Sequence, residues 1–230
     1  MDGVTTTPPE LAEELFAPIA STYERWALLL SMGQDPRWRR AMVDGLGLAP
    51  GSRVLDVAAG TGSVTRLLES QGLDVVSVDQ SGEMLRMARG RGATAVRAPA
   101  ERLPFADRSF DGVTFGYLLR YVDDVPQCLA ELVRVVRPGG AVGMVEFGRP
   151  TGAWHPAWWL YTRTLLPTAG AVIRSGWRDV GSFLGPSIDA FHQRYPPERL
   201  IAEWRAAGME RVRTRHMSLG GALLMWGRRR

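Results

Sequence analysis

Between residues 50 and 147, short apolar runs alternate with stretches whose apolar positions recur every three or four residues. The runs at 53–58, 74–79, 93–97, 110–116 and 140–147 read as strands, and the periodic stretches at 63–71, 81–90 and 124–136 read as helices. Strands that alternate with helices build a mostly parallel sheet covered on both faces, and a ligand binds such a sheet outside the carboxyl ends of its strands. This rule brings residues 58–62, 79–81, 99–102 and 116–120 to one rim. Pro138-Gly139-Gly140 reads as a turn feeding the fifth strand.

The flanks follow other patterns. Residues 1–9, rich in threonine and ending in Pro8-Pro9, read as a flexible arm. From Glu10 a helical period places Leu11, Leu15, Phe16 and Ile19 on one face; a second runs through Tyr23, Trp26, Leu29 and Leu30. Gly33 and Pro36 interrupt the pattern, and a helix resumes at Trp38–Val43. Residues 10–49 are thus N-terminal cap helices ahead of a main domain at 50–230. From Pro150 to about Gly185 the regularity breaks in a stretch crowded with Trp154, Trp158, Trp159, Tyr161 and Trp177, a lid-like insertion. A helix follows Pro196-Pro197, and 209–217 with 221–228 form an antiparallel hairpin turning at Ser218-Leu219-Gly220 that completes a seven-stranded sheet.

At 230 residues, with 45% hydrophobic and 23% charged positions, the chain is sized for one soluble domain with extensions. All 28 basic residues are arginine, which excludes a phosphate loop of the Gly-Lys-Ser type and a Schiff-base lysine. The net charge of +4, with no basic helix, gives no reason to expect nucleic acid; Arg228-Arg229-Arg230 is either a solvated tail or a point of attraction for anionic lipid. Cys128, the single cysteine, falls in an apolar helical pattern and reads as core, so a disulfide and a cysteine-built zinc site are excluded. His155, His192 and His216 lack the spacing one helix face offers a metal, and none is expected. With neither an export signal nor a run of about 18 apolar residues, a cytoplasmic location is the expectation.

The chemistry centres on the turn after the first strand. Gly60 and Gly62 let backbone approach a ligand, but Thr65 occupies the third glycine position of a dinucleotide motif. Asp79 closes the second strand about 20 residues on, where ribose-binding carboxylates sit. Two readings fit such a rim: nicotinamide redox chemistry, or methyl transfer from S-adenosylmethionine. A pyrophosphate wants the longer glycine-rich helix start, whereas adenosine and a methionine moiety want a compact turn with an acidic residue ahead, here Asp56.

The segment Leu55-Asp56-Val57-Ala58-Ala59-Gly60-Thr61-Gly62 resembles the signature of class I S-adenosylmethionine-dependent methyltransferases. Tyr23 to Trp38, Leu103-Pro104-Phe105, Arg134 to Gly140 and Glu146-Phe147 extend the similarity, over residues 16–227, to the ubiquinone and menaquinone biosynthesis C-methyltransferases. The resemblance implies a Rossmann-like α/β fold and S-adenosylmethionine as methyl donor. Its site would comprise Asp56, Ala58, Gly60, Thr61, Gly62, Asp79, Gln80, Met84, Ala100, Glu101 and Tyr117. It implies C-methylation of a polyprenylated quinol such as demethylmenaquinol, with 150–185 as a lid for the isoprenoid tail and as a peripheral membrane contact on the inner face. An O- or N-methyltransferase of a small phenolic metabolite, and a module that binds the donor without turnover, are the alternatives.

The chain departs from the family at Ala27, Glu24, Tyr121 and Pro99; the proline leaves adenine recognition to backbone at Ala100 and Glu101. Methylating a quinol carbon calls for a base and a cation facing the phenolate. The rim offers Arg120 as stabiliser, Tyr117 and Tyr121 to orient the ring, and Asp123 or His192 as base. The competing readings are an ion pair of Arg120 with Asp123 or Asp124, core packing for Tyr121, a local hydrogen bond for His192 and structural duty for Glu146. The tryptophans 154, 158 and 159 are either an interfacial belt or the lid's own small core.

Overall fold

The computed structural model describes residues 14–173 and 176–230; the arm at 1–9, Glu10 and Leu11 lie outside them. Two cap helices, α1 (Tyr23–Leu30) and α2 (Gln34–Asp44), precede a β1 (Arg53–Val57), α3 (Ser63–Ser70), β2 (Asp74–Asp79), α4 (Gly82–Arg89), β3 (Thr94–Arg97) series. The chain continues through β4 (Phe110–Gly116), α5 (Val125–Arg134) and β5 (Val136–Phe147). Past the lid come α9 (Pro197–Ala206), β6 (Met209–Met217) and β7 (Ala222–Arg229). The sheet has seven strands in the order β3-β2-β1-β4-β5-β7-β6. The first five are parallel, and β7 pairs antiparallel with both β5 and β6, as the alternating pattern and closing hairpin imply.

Burial on both faces explains the near-continuous apolar runs. Leu55, Val57, Phe115 and Met144 pack on one side with Leu129, Leu132 and Trp204; Val54, Val75 and Val145 pack on the other with Trp38, Met42 and Leu68. Cys128 is fully buried in the first of these layers.

Three segments differ from the sequence pattern. Helix α2 starts at Gln34 and not at Trp38. Pro36 lies in its first turn, where a missing N–H costs no helical hydrogen bond. Helix α5 stops at Arg134, and Val136 already pairs with Phe110; residues between Val136 and Ala141 form a bulge in β5, since Pro138 cannot donate to a ladder. The stretch from Pro150 is not irregular but helical: α6 (His155–Leu160), a π-turn at Tyr161–Leu165, α7 (Leu166–Ile173) and α8 (Trp177–Arg194). Its glycines let helices touch: a Cβ on Gly170 would stand 2.2 Å from the Trp177 carbonyl oxygen, and one on Gly181 2.6 Å from that of Leu166. The cap is fastened to this lid by the Tyr161 hydroxyl donating to the Leu30 carbonyl and Trp177 Nε1 donating to Thr22 Oγ1 at 3.2 Å.

Candidate active site

The winding of the sheet reverses between β1 and β4, and a crevice opens there at the carboxyl ends of the strands. The residue after each of these strands has a positive φ, Ala58 at 55° and Tyr117 at 57°. Such backbone costs about 1–3 kcal/mol per residue and concentrates at sites that need a side chain or peptide aimed. Gly60 (φ 57°) and Gly62 (φ 83°) carry the turn into α3. A Cβ on Gly62 would find Ala88 at an ordinary 3.5 Å, so what requires glycine there is the backbone conformation.

Asp79 organises the crevice. Its Oδ2 accepts the Gly60 N–H and its Oδ1 the Ser81 N–H, each at 2.8 Å, tying the glycine turn to the start of α4. A carboxylate accepts about four hydrogen bonds, so bracing the turn is compatible with receiving ligand hydroxyls. Asp56 lies underneath and is buried, with Thr65 Oγ1 donating at 2.8 Å and Thr114 Oγ1 at 3.0 Å. Burial pushes its carboxyl up to about 6, against the pull of those two hydroxyls. Glu24 from α1 closes the turn from above: Thr61 Oγ1 and Ser63 Oγ each donate to it at 2.7 Å, Arg66 at 2.9 Å and Arg91 at 2.5 Å. Burial alone would raise that carboxyl, but the four donors outweigh it and hold the group at about 2.

Two cavities meet here. The first is walled by Ala58, Gly60, Thr61, Asp79, Gln80, Met84, Ala100, Glu101 and Tyr117 of the expected donor set. Asp56 and Gly62 of that set stand behind its wall. Pro99 is exposed and outside the lining, whereas its neighbours Ala98, Ala100 and Glu101 are in it. Arg39 is the one cation lining this cavity among the described residues. Carboxylate, bare backbone turn, apolar slot and guanidinium together suit an adenosine that carries a charged amino-acid tail.

The second cavity, of about 430 Å³, is enclosed by the cap, the lid and the ends of β4 and β5. Phe16, Tyr23, Tyr117 and Tyr121 line both cavities and form the seam between them. The second wall is apolar apart from a few groups. Arg120 is one: its Nε donates to Glu146 Oε1 at 2.9 Å and its Nη1 to Ser187 Oγ of α8 at 2.8 Å. Both members of the Arg120–Glu146 pair are 1% exposed in their side chains, and Glu146 Oε2 is buried without a hydrogen-bond partner. Arg120 therefore pairs with Glu146 inside the fold and not with Asp123 or Asp124.

Of the residues expected to do chemistry, Tyr117, Arg120 and Tyr121 converge on this second cavity. Asp123 is exposed, and neither it nor His192 lines either cavity. His192 Nε2 donates to the Phe147 carbonyl at 2.7 Å, and burial lowers its pKa below the usual imidazole value. Burial also pushes Tyr121 up to about 12 and Tyr117 well above its usual value, so both phenols keep their protons at neutral pH. The sequence reading missed Asp35 and Arg39 on α2. Arg39 Nε contacts both Asp35 oxygens at 2.9 and 2.8 Å, and the Tyr117 hydroxyl donates to Asp35 Oδ1 at 2.5 Å. Their only signal was an i, i+4 acid–base pair, which on most helices marks a solvated face.

A family model described as the ubiE/COQ5 methyltransferase family matches residues 5–229. A demethylmenaquinone methyltransferase of Renibacterium salmoninarum is 37% identical, over 92% of this chain and 89% of its own. One from a Parafrankia species is 40% identical, over 95% and 93%. Among solved structures, a Thermotoga maritima protein described as a SAM-dependent methyltransferase, possible histamine N-methyltransferase, superposes with a TM-score of 0.66 at 21% identity, covering 94% of this chain and 99% of its own. Phosphoethanolamine N-methyltransferase 2 of Haemonchus contortus, in complex with S-adenosyl-L-methionine, gives 0.55 at 20% identity over 78% and 38%. At those identities the likeness is one of fold.

Proposed function

The chain belongs to the ubiE/COQ5 methyltransferase family and is an S-adenosylmethionine-dependent methyltransferase, and from that premise we propose that its acceptor is a ring carbon of a demethylated, prenylated naphthoquinol. The apolar second cavity, about 430 Å³ beside the donor crevice, carries the reading. A prenylated ring buries much apolar surface, worth about 25 cal/mol per Å², and needs only a few polar groups to set its orientation. The curated relatives' names support the same acceptor.

When bound, the sulfonium donor supplies an electrophilic methyl group. The chain's part is to hold and polarise. Asp79, Gln80, the Ala58–Gly62 turn, Ala100 and Glu101 hold the adenosine, and Arg39 meets the methionine carboxylate. Asp56 and Gly62 serve as positioning residues, setting the turn from below. At the seam Tyr117 and Tyr121 orient the acceptor ring, and the Arg120 guanidinium draws negative charge onto the acceptor oxygen. The test is a mass-spectrometric assay of the purified protein with donor and a panel of prenylated and unprenylated quinols and small phenols. Methyl on the ring carbon of the prenylated quinol is the expected product. Methyl on oxygen or nitrogen, or transfer to small phenols alone, would replace this reading, and tight donor binding with no transfer would favour a non-catalytic module.

The acceptor's source is the membrane surface. Met32 (73% exposed), Leu219 (63%), Leu165 (55%) and Trp154 (54%) line the second cavity and also face outward, so they ring its mouth. Trp159 and Leu160 are likewise exposed, while Trp158 lines the cavity and Trp177 is buried, so the lid tryptophans divide between exposed and inward-packed positions. Residues 148–173 contain Arg149, Arg163 and His155 and no carboxylate, a charge pattern that suits anionic lipid. Among the described residues no helix is long and apolar enough to cross a membrane. Flotation with phosphatidylglycerol vesicles is expected to carry the protein. In a Trp159→Ser/Leu160→Ser variant the lipid-bound fraction is expected to fall about tenfold or more, with turnover of an unprenylated quinol unchanged. Parent protein that stays at the bottom of the gradient would remove the membrane contact.

A further inference from the structure

Methylating a quinol carbon releases a proton, yet neither Asp123 nor His192 reaches the acceptor cavity to receive it. Asp35 does. Resting on the acceptor reading above, we propose that Asp35 is the catalytic base, taking the proton from the acceptor hydroxyl adjacent to the carbon that is methylated.

Among the described residues Asp35 is the only carboxylate in the wall of the acceptor cavity. It is placed from two sides, by Arg39 Nε on its own helix and by the Tyr117 hydroxyl from the end of β4. Tyr117 lines both cavities, so Asp35 stands one hydrogen bond from the seam the methyl group must cross. Arg120 lies on the same wall: its guanidinium carbon is 5.3 Å from the centre of the Phe147 ring, which stacks on Tyr117 at 4.5 Å. The otherwise apolar cavity thus has an anionic station and a cationic one with two stacked rings between them. The titratable and charged groups around Asp35 are Arg39, Tyr117, Tyr23 from α1 and, beyond the rings, Arg120. Burial raises the Tyr23, Tyr117 and Tyr121 phenols, which leaves the carboxylate as the group able to accept a proton. Arg39, which donates to both Asp35 oxygens, also lines the donor cavity.

The proton balance is complete. The acceptor O–H passes its proton to Asp35, and its electron pair moves through the ring to the neighbouring carbon. That carbon bonds the methyl group as the sulfur–methyl bond breaks, leaving a neutral thioether. The ring carbon then loses its hydrogen to water while Asp35 returns its proton to the oxygen, so one proton leaves per methyl transferred.

Asp35→Asn keeps an oxygen for Tyr117 and removes the basicity. It is expected to lower kcat about 100-fold or more, to leave S-adenosylhomocysteine affinity within about threefold by calorimetry, and to make log kcat climb with pH more steeply than the parent's as hydroxide substitutes. A purely structural role would move donor affinity or Tm and keep the parent's profile. Turnover within threefold of the parent, or a loss with an unaltered profile, overturns the assignment. Should Asp35→Asn not fold, Asp35→Glu retains a carboxylate: reduced kcat with the parent's profile supports the base, and a hydroxide-like slope overturns it. An active parent with an active Asp35→Asn removes this assignment alone; a parent inactive on every quinol removes the acceptor reading and this assignment together.

Discussion

Replacing Arg120 with methionine is expected to lower kcat by about 100- to 1,000-fold while S-adenosylhomocysteine affinity, measured by calorimetry, stays within about threefold. Arg120 lines the acceptor cavity and not the donor cavity, so its loss falls on the acceptor's developing charge. The substitution has a second consequence. Glu146 is fully buried, accepts from Arg120 Nε and the Phe147 N–H, and has a second oxygen without a partner. Removing Arg120 leaves that charge uncompensated, at a cost of about 3–5 kcal/mol. Lost folding could then pass for lost chemistry. The Arg120→Met/Glu146→Leu double variant separates the two: with both charges gone, its Tm is expected to recover toward the parent, short only of the Phe147 and Ser187 hydrogen bonds, while turnover stays lost. A double variant that regains turnover together with stability would remove Arg120 from the chemistry and leave it a structural ion pair.

Asp79→Ala is the second large effect, and it falls on the donor. The carboxylate accepts two backbone N–H groups at 2.8 Å, one from the glycine turn and one from the start of α4, and stands in the cavity wall. Hydrogen bonds to a charged group contribute about 1.5–3 kcal/mol each. Loss of the brace and of its contact to the donor is therefore expected to weaken S-adenosylhomocysteine binding about 100-fold or more. Because no acceptor contact is lost, kcat at saturating donor is expected to stay within about tenfold of the parent, the reverse of the Arg120 pattern. Calorimetry gives the first quantity and steady-state kinetics the second. Affinity within threefold of the parent would reduce Asp79 to a brace for the turn.

The parallel strands were legible because burial on both faces writes itself as uninterrupted apolar runs. Helix starts were legible where a side chain caps them: Ser81 Oγ accepts from Met84 N at 3.4 Å and Asp124 Oδ1 from Gln127 N at 2.9 Å. The lid was not legible as helix. Its side chains pack inward around the cavity and cap while Trp159, Leu160, Leu165 and Val172 point outward, so apolar residues occupy every face and the 3.6-residue period disappears. Pro186 within α8 and the glycines at the α7–α8 contact further resemble breakers, though packing is what they serve.

The sequence by itself determined the frame of the first cavity. A glycine turn and the carboxylate closing the next strand lie about 20 residues apart on adjacent parallel strands, and that local geometry is fixed by the βαβ unit. The acceptor half depends on contacts between distant elements. Asp35 and Tyr117 are 82 residues apart, Arg120 and Glu146 are 26 apart, and Arg120 reaches Ser187 across 67. Periodicity shows that Asp35 lies on a helix and Asp123 near a strand end; it does not show which of the two faces a cavity. Only the docking of cap and lid over the sheet decided that, because it alone sets which carboxylate loses water and meets Tyr117, and which remains in solvent.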